Sequence, residues 1–424
     1  MATYYVRASN SSDGNAGSIS SPFKTIGKAL SVAGNGDTII VRGGTYNAES
    51  ALNITQTNLT LQAYEGETPV IDMGWTDGVP RFANHPGFDN DEDATIKMSG
   101  SGCTVDGVTV QNSPGRHFTI AAPNCIVTNT RIKDAFGAGM IQIGADNATI
   151  TNTIFTQISR RKVYNGEYWI DGKNRPPTEK ISNHPHVVGP RSHTSTWDNV
   201  QFYDCYGEGF SNYTGYGATW KNCKICDTSS PTVYLNYSPG FTMYNCEVYF
   251  TQSYRRPRNG KLGETFTIGD ESQVDKRGKD FYATTQDVEI YNNVFVGYGN
   301  GLSFGGDIAA GKDSGRPANA ENVLISNNTF VLHPDGFEDD IYYSFLINRM
   351  TYDTEPFVFP NGKQLWRYQR NVRIENNAFY GRIKSSNPTS RQMDAFRFRN
   401  NYFSVAPPSW ITSGSNTNNI VGGA

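Results

Sequence analysis

Long apolar runs and a surplus of positive charge are both absent from this sequence of 424 residues. No stretch of about 18 consecutive apolar residues occurs, so the sequence predicts neither a membrane-spanning helix nor a membrane partner. The formal net charge is −3, whereas a nucleic-acid-binding surface is usually strongly basic. These absences argue against membrane proteins and nucleic-acid binders.

Cysteine and histidine are also scarce, with six residues of each. Cys103 and Cys125 are 22 residues apart, and Cys223 and Cys246 are 23 apart. We expect each pair to stack as reduced core thiols, with a disulfide as the less favoured alternative. Cys226 completes a Cys-x-x-Cys motif with Cys223, but no second pair or neighbouring histidine accompanies it. The motif therefore predicts neither a zinc site nor a redox site.

A secretion signal is the third absence. Residues 1–7 predict a strand and lack the basic and then apolar segments of an export signal. We expect a protein that is either secreted after removal of its signal or carried on a virion such as a phage particle.

What the chain does contain is a pattern with an apolar residue two positions before an asparagine and another three positions after it. The flanking residues, for example Ile325 and Phe330, are predicted to face a core. The pattern occurs nine times, at Asn129, Asn152, Asn199, Asn222, Asn245, Asn292, Asn327, Asn376 and Asn400. The steps between these asparagines are 23, 47, 23, 23, 47, 35, 49 and 24 residues.

One repeat is therefore about 23 residues long, and the longer steps contain extra coils or inserted loops. The runs between asparagines are short, rich in β-branched and aromatic residues, and interrupted by Gly and Asn, which favours strands over helices. Asparagine tolerates the left-handed backbone conformation that a sharp corner needs. The repeat therefore predicts a solenoid of strands with an asparagine at one corner of each coil.

An Asn-cornered, strand-rich coil of this length resembles the pectate-lyase-like β-helix superfamily. The resemblance implies an all-β, single-domain, right-handed parallel β-helix. It does not specify an activity, because lyases, hydrolases, epimerases and tail proteins share the fold. The predicted divisions are an N-terminal strand and capping helix at 1–36, the β-helix at 37–405, and a C-terminal tail or cap at 406–424.

The capping helix is predicted from a short amphipathic segment. Ser21 is the expected N-cap with Pro22 at the first helical position, and Phe23, Ile26 and Leu30 fall on one face. Such a helix would cover the open end of a solenoid, where core and strand edges are otherwise exposed.

Long insertions interrupt the repeat, and loops grown from one side of a solenoid usually line its binding surface. The insertions are rich in cations and aromatic residues, which suit the carboxylates and ring faces of an anionic sugar chain. Trp169, Arg255 and Arg256 are therefore predicted to bind substrate, although solvated loops are the alternative. The insertions span about 158–194, 251–287, 297–321 and 332–371.

A second candidate surface is formed by the strands that precede the asparagine corners. Alternation is expected to direct one set of side chains inward and to leave the other set facing outward as a saccharide groove. The outward set contains Ser211, Tyr213, Tyr234, Asn236, Thr267 and Ser303.

A histidine-rich segment is the first of three candidate catalytic clusters. His186 is the candidate base and Arg191 the candidate cation for a substrate carboxylate, with His184 and His193 as substrate contacts. Metal binding and a purely structural role remain open for this segment.

The second cluster is acidic and contains Glu208, Asp270, Glu271 and Asp307. Such carboxylates can act as the acid and base of a glycosidase, or Asp270 and Glu271 can supply oxygen ligands for Ca²⁺. Solvated corners are the alternative.

The third cluster is basic and contains Lys261 with residues 255–258. It precedes residues 264–269, which resemble the Glu-Thr-Ile-Arg-x-Gly stretch of β-helix alginate and chondroitin lyases. That resemblance implies elimination carried out by a Lys and an Arg, with Ca²⁺ neutralising the uronate carboxylate. Thr267 stands where that family has its Arg.

The combined expectation is a polysaccharide lyase that cleaves a uronate-containing polymer by β-elimination. Elimination needs a neutralised carboxylate, a base and an acid; Tyr213 is a candidate for either proton-transfer role. A glycoside hydrolase, a uronan epimerase and a glycan-binding phage-tail or adhesin domain remain alternatives. We expect a monomer, or a trimer in a tail protein, with no required cofactor and Ca²⁺ as an optional ligand.

Overall fold

A computed structural model gives the fold, and it divides into two compact units, Met1–Gly209 and Phe210–Ala424. The residues that it describes are 1–48, 50–76, 79–80, 94–113, 115–135, 138–158, 186–191, 194–205, 208–213, 215–228, 231–250, 265–269, 285–297, 301–304, 320–333, 343–347, 357–358, 364–365, 369–385 and 390–422.

The described residues of the N-terminal unit form one helix and a series of short strands. The helix is α1 (Ile26–Val32). The strands are β1 (Thr3–Val6), β2 (Thr38–Val41), β3 (Gly44–Asn47), β4 (Leu52–Ile54), β5 (Thr60–Ala63), β6 (Pro69–Asp72), β7 (Trp75–Thr76), β8 (Val79–Pro80), β9 (Ala94–Met98), β10 (Thr104–Asp106), β11 (Thr109–Ser113), β12 (Arg116–Ile120), β13 (Ile126–Thr128), β14 (Arg131–Ala135), β15 (Met140–Ile143), β16 (Thr149–Thr151), β17 (Ile154–Thr156), β18 (His186–Arg191), β19 (Thr196–Asp198) and β20 (Gln201–Tyr203).

Three parallel sheets account for these strands apart from the β7–β8 hairpin. Sheet A consists of β1, β2, β5, β10, β13, β16 and β19; sheet B of β3, β6, β11, β14, β17 and β20; sheet C of β4, β9, β12, β15 and β18. The chain visits A, B and C in turn, and every pairing within a sheet is parallel to the equivalent strand one coil away. This repeating order defines a parallel β-helix.

The C-terminal unit repeats the same construction. Its strands are β21 (Glu208–Tyr213), β22 (Thr219–Lys221), β23 (Lys224–Cys226), β24 (Val233–Asn236), β25 (Thr242–Tyr244), β26 (Glu247–Tyr249), β27 (Phe266–Ile268), β28 (Thr285–Tyr291), β29 (Val294–Gly297), β30 (Leu302–Phe304), β31 (Ala320–Ser326), β32 (Thr329–Leu332), β33 (Phe345–Ile347), β34 (Phe357–Val358), β35 (Gln364–Leu365), β36 (Gln369–Glu375), β37 (Ala378–Tyr380), β38 (Ile383–Ser385), β39 (Phe396–Arg399), β40 (Tyr402–Phe403) and β41 (Ile420–Val421). The described residues of this unit also form a short helix, α2 (Ser390–Met393), and a 3-10 turn, Ser409–Ile411.

Its sheets are named separately from those of the first unit. Sheet D contains β22, β25, β28, β31, β36 and β39; sheet E contains β23, β26, β29, β32, β37, β40 and β41; sheet F contains β21, β24, β27, β30, β33 and β38. β34 and β35 form an antiparallel hairpin. The chain is thus all-β apart from its short helices, as predicted.

The nine asparagines of the repeat all occupy the corner between the first and second strands of a coil. Their φ angles lie between 48° and 59°, which confirms the predicted left-handed corners. Neighbouring corners are also linked: Asn152 Nδ2 donates to Asn129 Oδ1 over 3.1 Å, and Asn199 Nδ2 donates to Asn152 Oδ1 over 2.9 Å.

A second and more deeply buried set of asparagines follows these corners in the C-terminal unit. Asn293, Asn328, Asn377 and Asn401 are at most 2% exposed. Each Nδ2 group donates to the Oδ1 of the next coil, over 2.9 Å, 3.1 Å and 3.2 Å along the series. Asn328 Nδ2 also donates to the Ile290 carbonyl, and Asn328 Oδ1 accepts the Asn293 backbone N–H. Every polar atom of the Asn328 amide is therefore satisfied inside the core.

The flanking apolar residues form the core as predicted. Phe295, Phe330, Phe379 and Phe403 are in register on successive strands of sheet E. Their ring centroids are 4.8 Å, 5.1 Å and 5.3 Å apart, and the rings are nearly parallel. This stack fills the inner side of sheet E with aromatic contacts.

The start of α1 differs from the prediction that Ser21 is its N-cap. Thr25 is the N-cap, and its Oγ1 accepts the Lys28 backbone N–H over 3.1 Å. Asp13 holds Thr25 in place by accepting its backbone N–H and its hydroxyl, both over 2.9 Å. Ser21 lies before the helix because Phe23 instead extends beside β1, where its N–H donates to the Tyr5 carbonyl. Ile26 is nevertheless buried, as predicted.

The cysteines are six buried free thiols, as expected. The Cys223 backbone N–H donates to Cys246 Sγ over 3.4 Å, so this pair does stack on adjacent coils. Within the described part of the chain, no helix has the length and apolar character needed to cross a membrane.

The buried asparagine ladder predicts a large effect of Asn328→Ala. The substitution removes the partners of the Asn293 amide and of Asn377 Oδ1 inside the core. We expect the free energy of unfolding in urea to fall by about 3 kcal/mol. The control Thr329→Ala changes the next side chain, which faces outward, and should cost less than about 0.5 kcal/mol. Equal losses in the two variants would contradict a stabilising role for the ladder.

Candidate functional site

Many of the predicted site residues lie outside the described residues. They are Trp169, His184, His193, Arg255, Arg256, Lys261, Asp270, Glu271 and Asp307. Their roles therefore stay predictions.

His186 and Arg191 are the first and last residues of β18 in sheet C, and their backbone alone is described. Arg191 pairs with Ile143 of β15. Five residues of extended chain separate His186 from Arg191, which is roughly 16 Å at the usual rise of a strand. The two residues are therefore not neighbours along the strand, and their joint action on one sugar stays a prediction.

The polar residues that were predicted to face outward as a saccharide groove lie on strands of sheet F. Ser211, Tyr234, Thr267 and Ser303 are in register on four successive strands, as predicted. The neighbouring positions in the same strands are at most 2% exposed and, except for Asn212, apolar, so these four side chains lie on the opposite face of the sheet. We call them the hydroxyl row.

The hydroxyl row is not an open groove. Its residues are 1%, 7%, 6% and 3% exposed in chain order, although they face away from the solenoid core. Asn236, which pairs with Tyr213, is also buried at 1% exposure. Alternation within a strand gives the face on which a side chain lies, but it does not give the depth of cover over that face. The row can therefore support a binding surface from beneath rather than form its solvent-facing floor.

Glu208 begins β21 and is buried, with 4% of its surface exposed. A carboxylate at this depth requires polar partners to remain charged. The structure places it at a strand end, as the sequence predicted, and leaves its proposed acid–base role as a prediction.

His117 is a buried histidine that the sequence did not single out. It lies in β12 of sheet C with no exposed surface. Its Nε2 is 2.7 Å from the Lys133 carbonyl oxygen, which fixes the ring proton on Nε2. Nδ1 has no hydrogen-bond partner among the described residues. Burial lowers the pKa of His117 to about 4, and the hydrogen bond to Lys133 only partly opposes that shift.

A small polar network lies beside His117. Arg116 pairs with Ala94 and Phe118 with Ile96, so His117 lies opposite Thr95. Thr95 Oγ1 donates to Ser113 Oγ over 3.0 Å, and Ser113 Oγ lies 2.9 Å from the Arg116 carbonyl oxygen. A lone histidine in a strand carries no spacing signal, which is why sequence patterns did not indicate this network.

Asp72 is a second buried polar centre in the N-terminal unit. Its carboxylate accepts the Gly74 N–H over 2.7 Å, Gln111 Nε2 over 2.9 Å and Asn112 Nδ2 over 3.0 Å. These neutral donors satisfy the charge and fix the chain as it leaves sheet B. Across the described ranges, no group of three or more His, Cys, Asp or Glu residues is arranged to hold a metal ion.

The comparisons with known proteins agree with this architecture. Residues 4–168 match the family model described as the Pel9A-like right-handed β-helix region. The chain is a right-handed parallel β-helix, and the match of its N-terminal part to this model confirms the resemblance to pectate-lyase-like β-helices.

Pectate lyase PEL9 from Emericella nidulans is 40% identical over 74 residues, which is 16% of this chain and 18% of that protein. The chain thus matches less than a fifth of the length of this curated relative. Among solved structures, a complex of XylC with xylose has a TM-score of 0.50 and 11% identity, covering 99% of this chain and 86% of that one. The crystal structure of pectate lyase Pel9A has a TM-score of 0.46 and 14% identity, covering 77% of this chain and 78% of that one. At 11% identity the XylC structure shows the fold alone.

The low pKa of His117 predicts a stability that depends on pH. The unfolded chain binds a proton on this histidine below about pH 6.5, whereas the folded protein binds it only near pH 4. Stability is therefore full above pH 6.5 and is lost as the pH falls towards 4, by on the order of 3 kcal/mol.

We expect His117→Gln to flatten the dependence of the unfolding free energy on pH between 6.5 and 4. Thr95→Val is the control, because it disturbs the same network without removing a titrating group. It should lower stability by the same amount at every pH. If the unfolding free energy of His117→Gln changed with pH as steeply as that of the wild type, the pH dependence would have to come from other groups.

Proposed function

We propose that this protein is a polysaccharide lyase that cleaves a uronate-containing polymer by β-elimination. The observation that carries the proposal is the stretch 40% identical to a protein named pectate lyase, together with the Pel9A-like match of residues 4–168. Pectate, a polymer of galacturonate, is accordingly the first substrate to test. A secreted or virion-associated protein would meet such a polymer outside the cell.

The reaction breaks the bond between C4 and the glycosidic oxygen and forms a double bond between C4 and C5. The proton on C5 leaves first or together with that bond, and it becomes acidic enough only when the neighbouring carboxylate is neutralised. The leaving oxygen takes up a proton. Three kinds of side chain are therefore required, and the chain contains candidates for each.

Cationic side chains supply the neutralisation in this proposal, and Arg191, Arg255 and Arg256 are the candidates. A guanidinium group binds a carboxylate through two parallel hydrogen bonds, which both orients the sugar and offsets its charge. Lys261 or His186 removes the C5 proton. An amine or imidazole is suited to that role when its pKa lies near the working pH.

Tyr213 protonates the leaving oxygen in this proposal, and Tyr234 is the alternative donor. Tyr213 pairs with Asn236 at the end of β21, and Tyr234 lies in the hydroxyl row one strand along. Because Tyr234 is 7% exposed, its hydroxyl is more suited to orienting a neighbouring group than to meeting the polymer directly. His184, His193, Trp169, Glu208 and Asn236 are the remaining proposed contacts.

Calcium is a second source of positive charge. When bound, Ca²⁺ would neutralise a uronate carboxylate, and Asp270 and Glu271 are the proposed ligands because carboxylate oxygens suit this ion. EDTA with and without added Ca²⁺ decides between the two sources. A rate lost in EDTA, restored by Ca²⁺ and impaired in Asp270→Asn would assign the role to the cation. A rate that is unchanged in EDTA would leave neutralisation of the carboxylate to the arginines.

The proposed lyase activity predicts the kind of product that is formed. Incubation with polygalacturonate, alginate and chondroitin should raise the ultraviolet absorbance of a new C4–C5 double bond for at least one polymer, together with new reducing ends. Reducing ends without that absorbance would show a hydrolase, for which the candidate carboxylates are Glu208, Asp270, Glu271 and Asp307. No change in either signal would exclude a lyase and a hydrolase for these polymers and leave an epimerase or a glycan-binding protein.

The second prediction concerns Lys261. Removal of a general base usually slows a reaction by roughly 10²–10⁴-fold, so Lys261→Ala should lower kcat by this range with little change in KM. Lys24→Ala is the matched control, because Lys24 is exposed beside α1 in the N-terminal unit. Full activity in Lys261→Ala would remove Lys261 from the mechanism and leave His186 as the base.

A further inference from the structure

The outer face of sheet E has no charged residues on its strands nearest the C-terminus. Over β29, β32, β37, β40 and β41 the outward positions are in register and form two rows. None of these positions is charged. The first row is Val294, Thr329, Ala378, Tyr402 and Ile420, and the second is Val296, Val331 and Tyr380. We call these eight residues the uncharged face.

The uncharged face is open to solvent. Val294, Tyr380 and Ile420 are 42%, 43% and 64% exposed. The opposite side of β29, β32, β37 and β40 is the phenylalanine stack, which is buried. The face is therefore backed by a packed core, which favours binding because fewer groups must be ordered when a ligand binds.

Earlier strands of the same sheet are different. On β23 and β26, Lys224 Nζ lies 3.2 Å from Glu247 Oε2 and 5.2 Å from the centre of the Tyr249 ring. This is an ordinary solvated surface with paired charges. Exposed valines alone would be explained by the preference of strands for β-branched residues. Tyrosine is also favoured in strands, so the case for a ligand rests on how the two tyrosines of this face are arranged.

Tyr380 and Tyr402 lie side by side on the uncharged face. Their ring centroids are 5.5 Å apart and their planes are inclined by 49°. The rings therefore present two differently inclined apolar surfaces with hydroxyl groups at their tips. Tyrosine is enriched at recognition sites because it combines an apolar ring with a polar end.

The size of the face argues for a small or chain-like ligand. Five strands span roughly 19 Å at the usual spacing, and two outward residues per strand give a width of about 10 Å. The area is then on the order of 200 Å², well below the roughly 800 Å² that each partner of a stable protein complex buries. A second protein molecule is therefore a poor match to this surface.

The charge of the face argues against the anionic polymer proposed as substrate. Nothing on these eight positions could offset a carboxylate. We propose that the uncharged face binds a neutral glycan chain, with Tyr380 and Tyr402 stacking on sugar rings and the Thr329 hydroxyl bonding to sugar hydroxyls. Binding of this kind would hold the protein on a neutral polysaccharide independently of any cleavage chemistry, so the inference does not rest on the proposed function.

The test is calorimetric titration with cellohexaose, mannohexaose and xylohexaose. At least one of them should bind the wild-type protein, and Tyr380→Ala should bind it about tenfold more weakly, as expected for loss of one aromatic contact. Tyr244→Ala is the matched control, because Tyr244 lies on the outer side of sheet D and stacks on Tyr291 at 5.0 Å. It should bind as the wild type does. Circular dichroism checks that both variants are folded.

Several results would overturn the inference. They are an absence of binding to all three hexasaccharides, equal affinity in the wild type and Tyr380→Ala, and tighter binding of tetragalacturonate than of the neutral sugars at this face. Light scattering that shows a dimer in the wild type and a monomer in Tyr380→Ala would assign the face to a second copy of the chain instead.

Discussion

The structure depends on one constraint, which is the need to turn the chain within two residues between the first and second strands of each coil. β13 ends at Thr128 and β14 begins at Arg131, so only two residues make that corner. A left-handed residue there costs roughly 1–2 kcal/mol for most side chains. Asparagine reduces that penalty and adds an amide that reaches the next coil, as Asn152 does with Asn129.

The same corner positions the buried ladder. Once Asn327 adopts the left-handed conformation, the next residue, Asn328, enters the core with its amide directed along the stack. Since the amides satisfy one another, the core tolerates a polar column beside the phenylalanine stack. With this corner and its strands held by repeating contacts, the other corners of a coil are free to accept insertions. The binding chemistry proposed for the chain is therefore concentrated in segments that the repeat does not constrain.

Much of the fold was predictable because its signals are periodic and local. Spacing alone indicated the nine corner asparagines and the inward position of Phe330. The buried role of Asn328 was missed, although the Asn-Asn pairs at Asn327 and Asn328 and at Asn376 and Asn377 were a visible signal. The choice of Thr25 over Ser21 as N-cap depends on Asp13, twelve residues away, which no local pattern of helix capping includes.

The site was less predictable than the fold, because depth of burial is set by chain segments far apart in sequence. Alternation correctly placed Tyr234 and Thr267 on one face of sheet F. It did not predict that both side chains would be almost completely buried. His117 has no distinctive spacing, and its unusual pKa arises only from burial in the folded chain. Lys261 and Asp307 lie outside the described residues, so their roles rest on sequence chemistry.

The central claim is that the protein cleaves by elimination, and mass spectrometry of digests made in ¹⁸O-labelled water tests it most directly. Elimination adds no water, so fragments of polygalacturonate should be unsaturated, lighter than hydrolysis products by the mass of one water, and free of the label. Fragments of full hydrolytic mass that contain ¹⁸O would contradict the account.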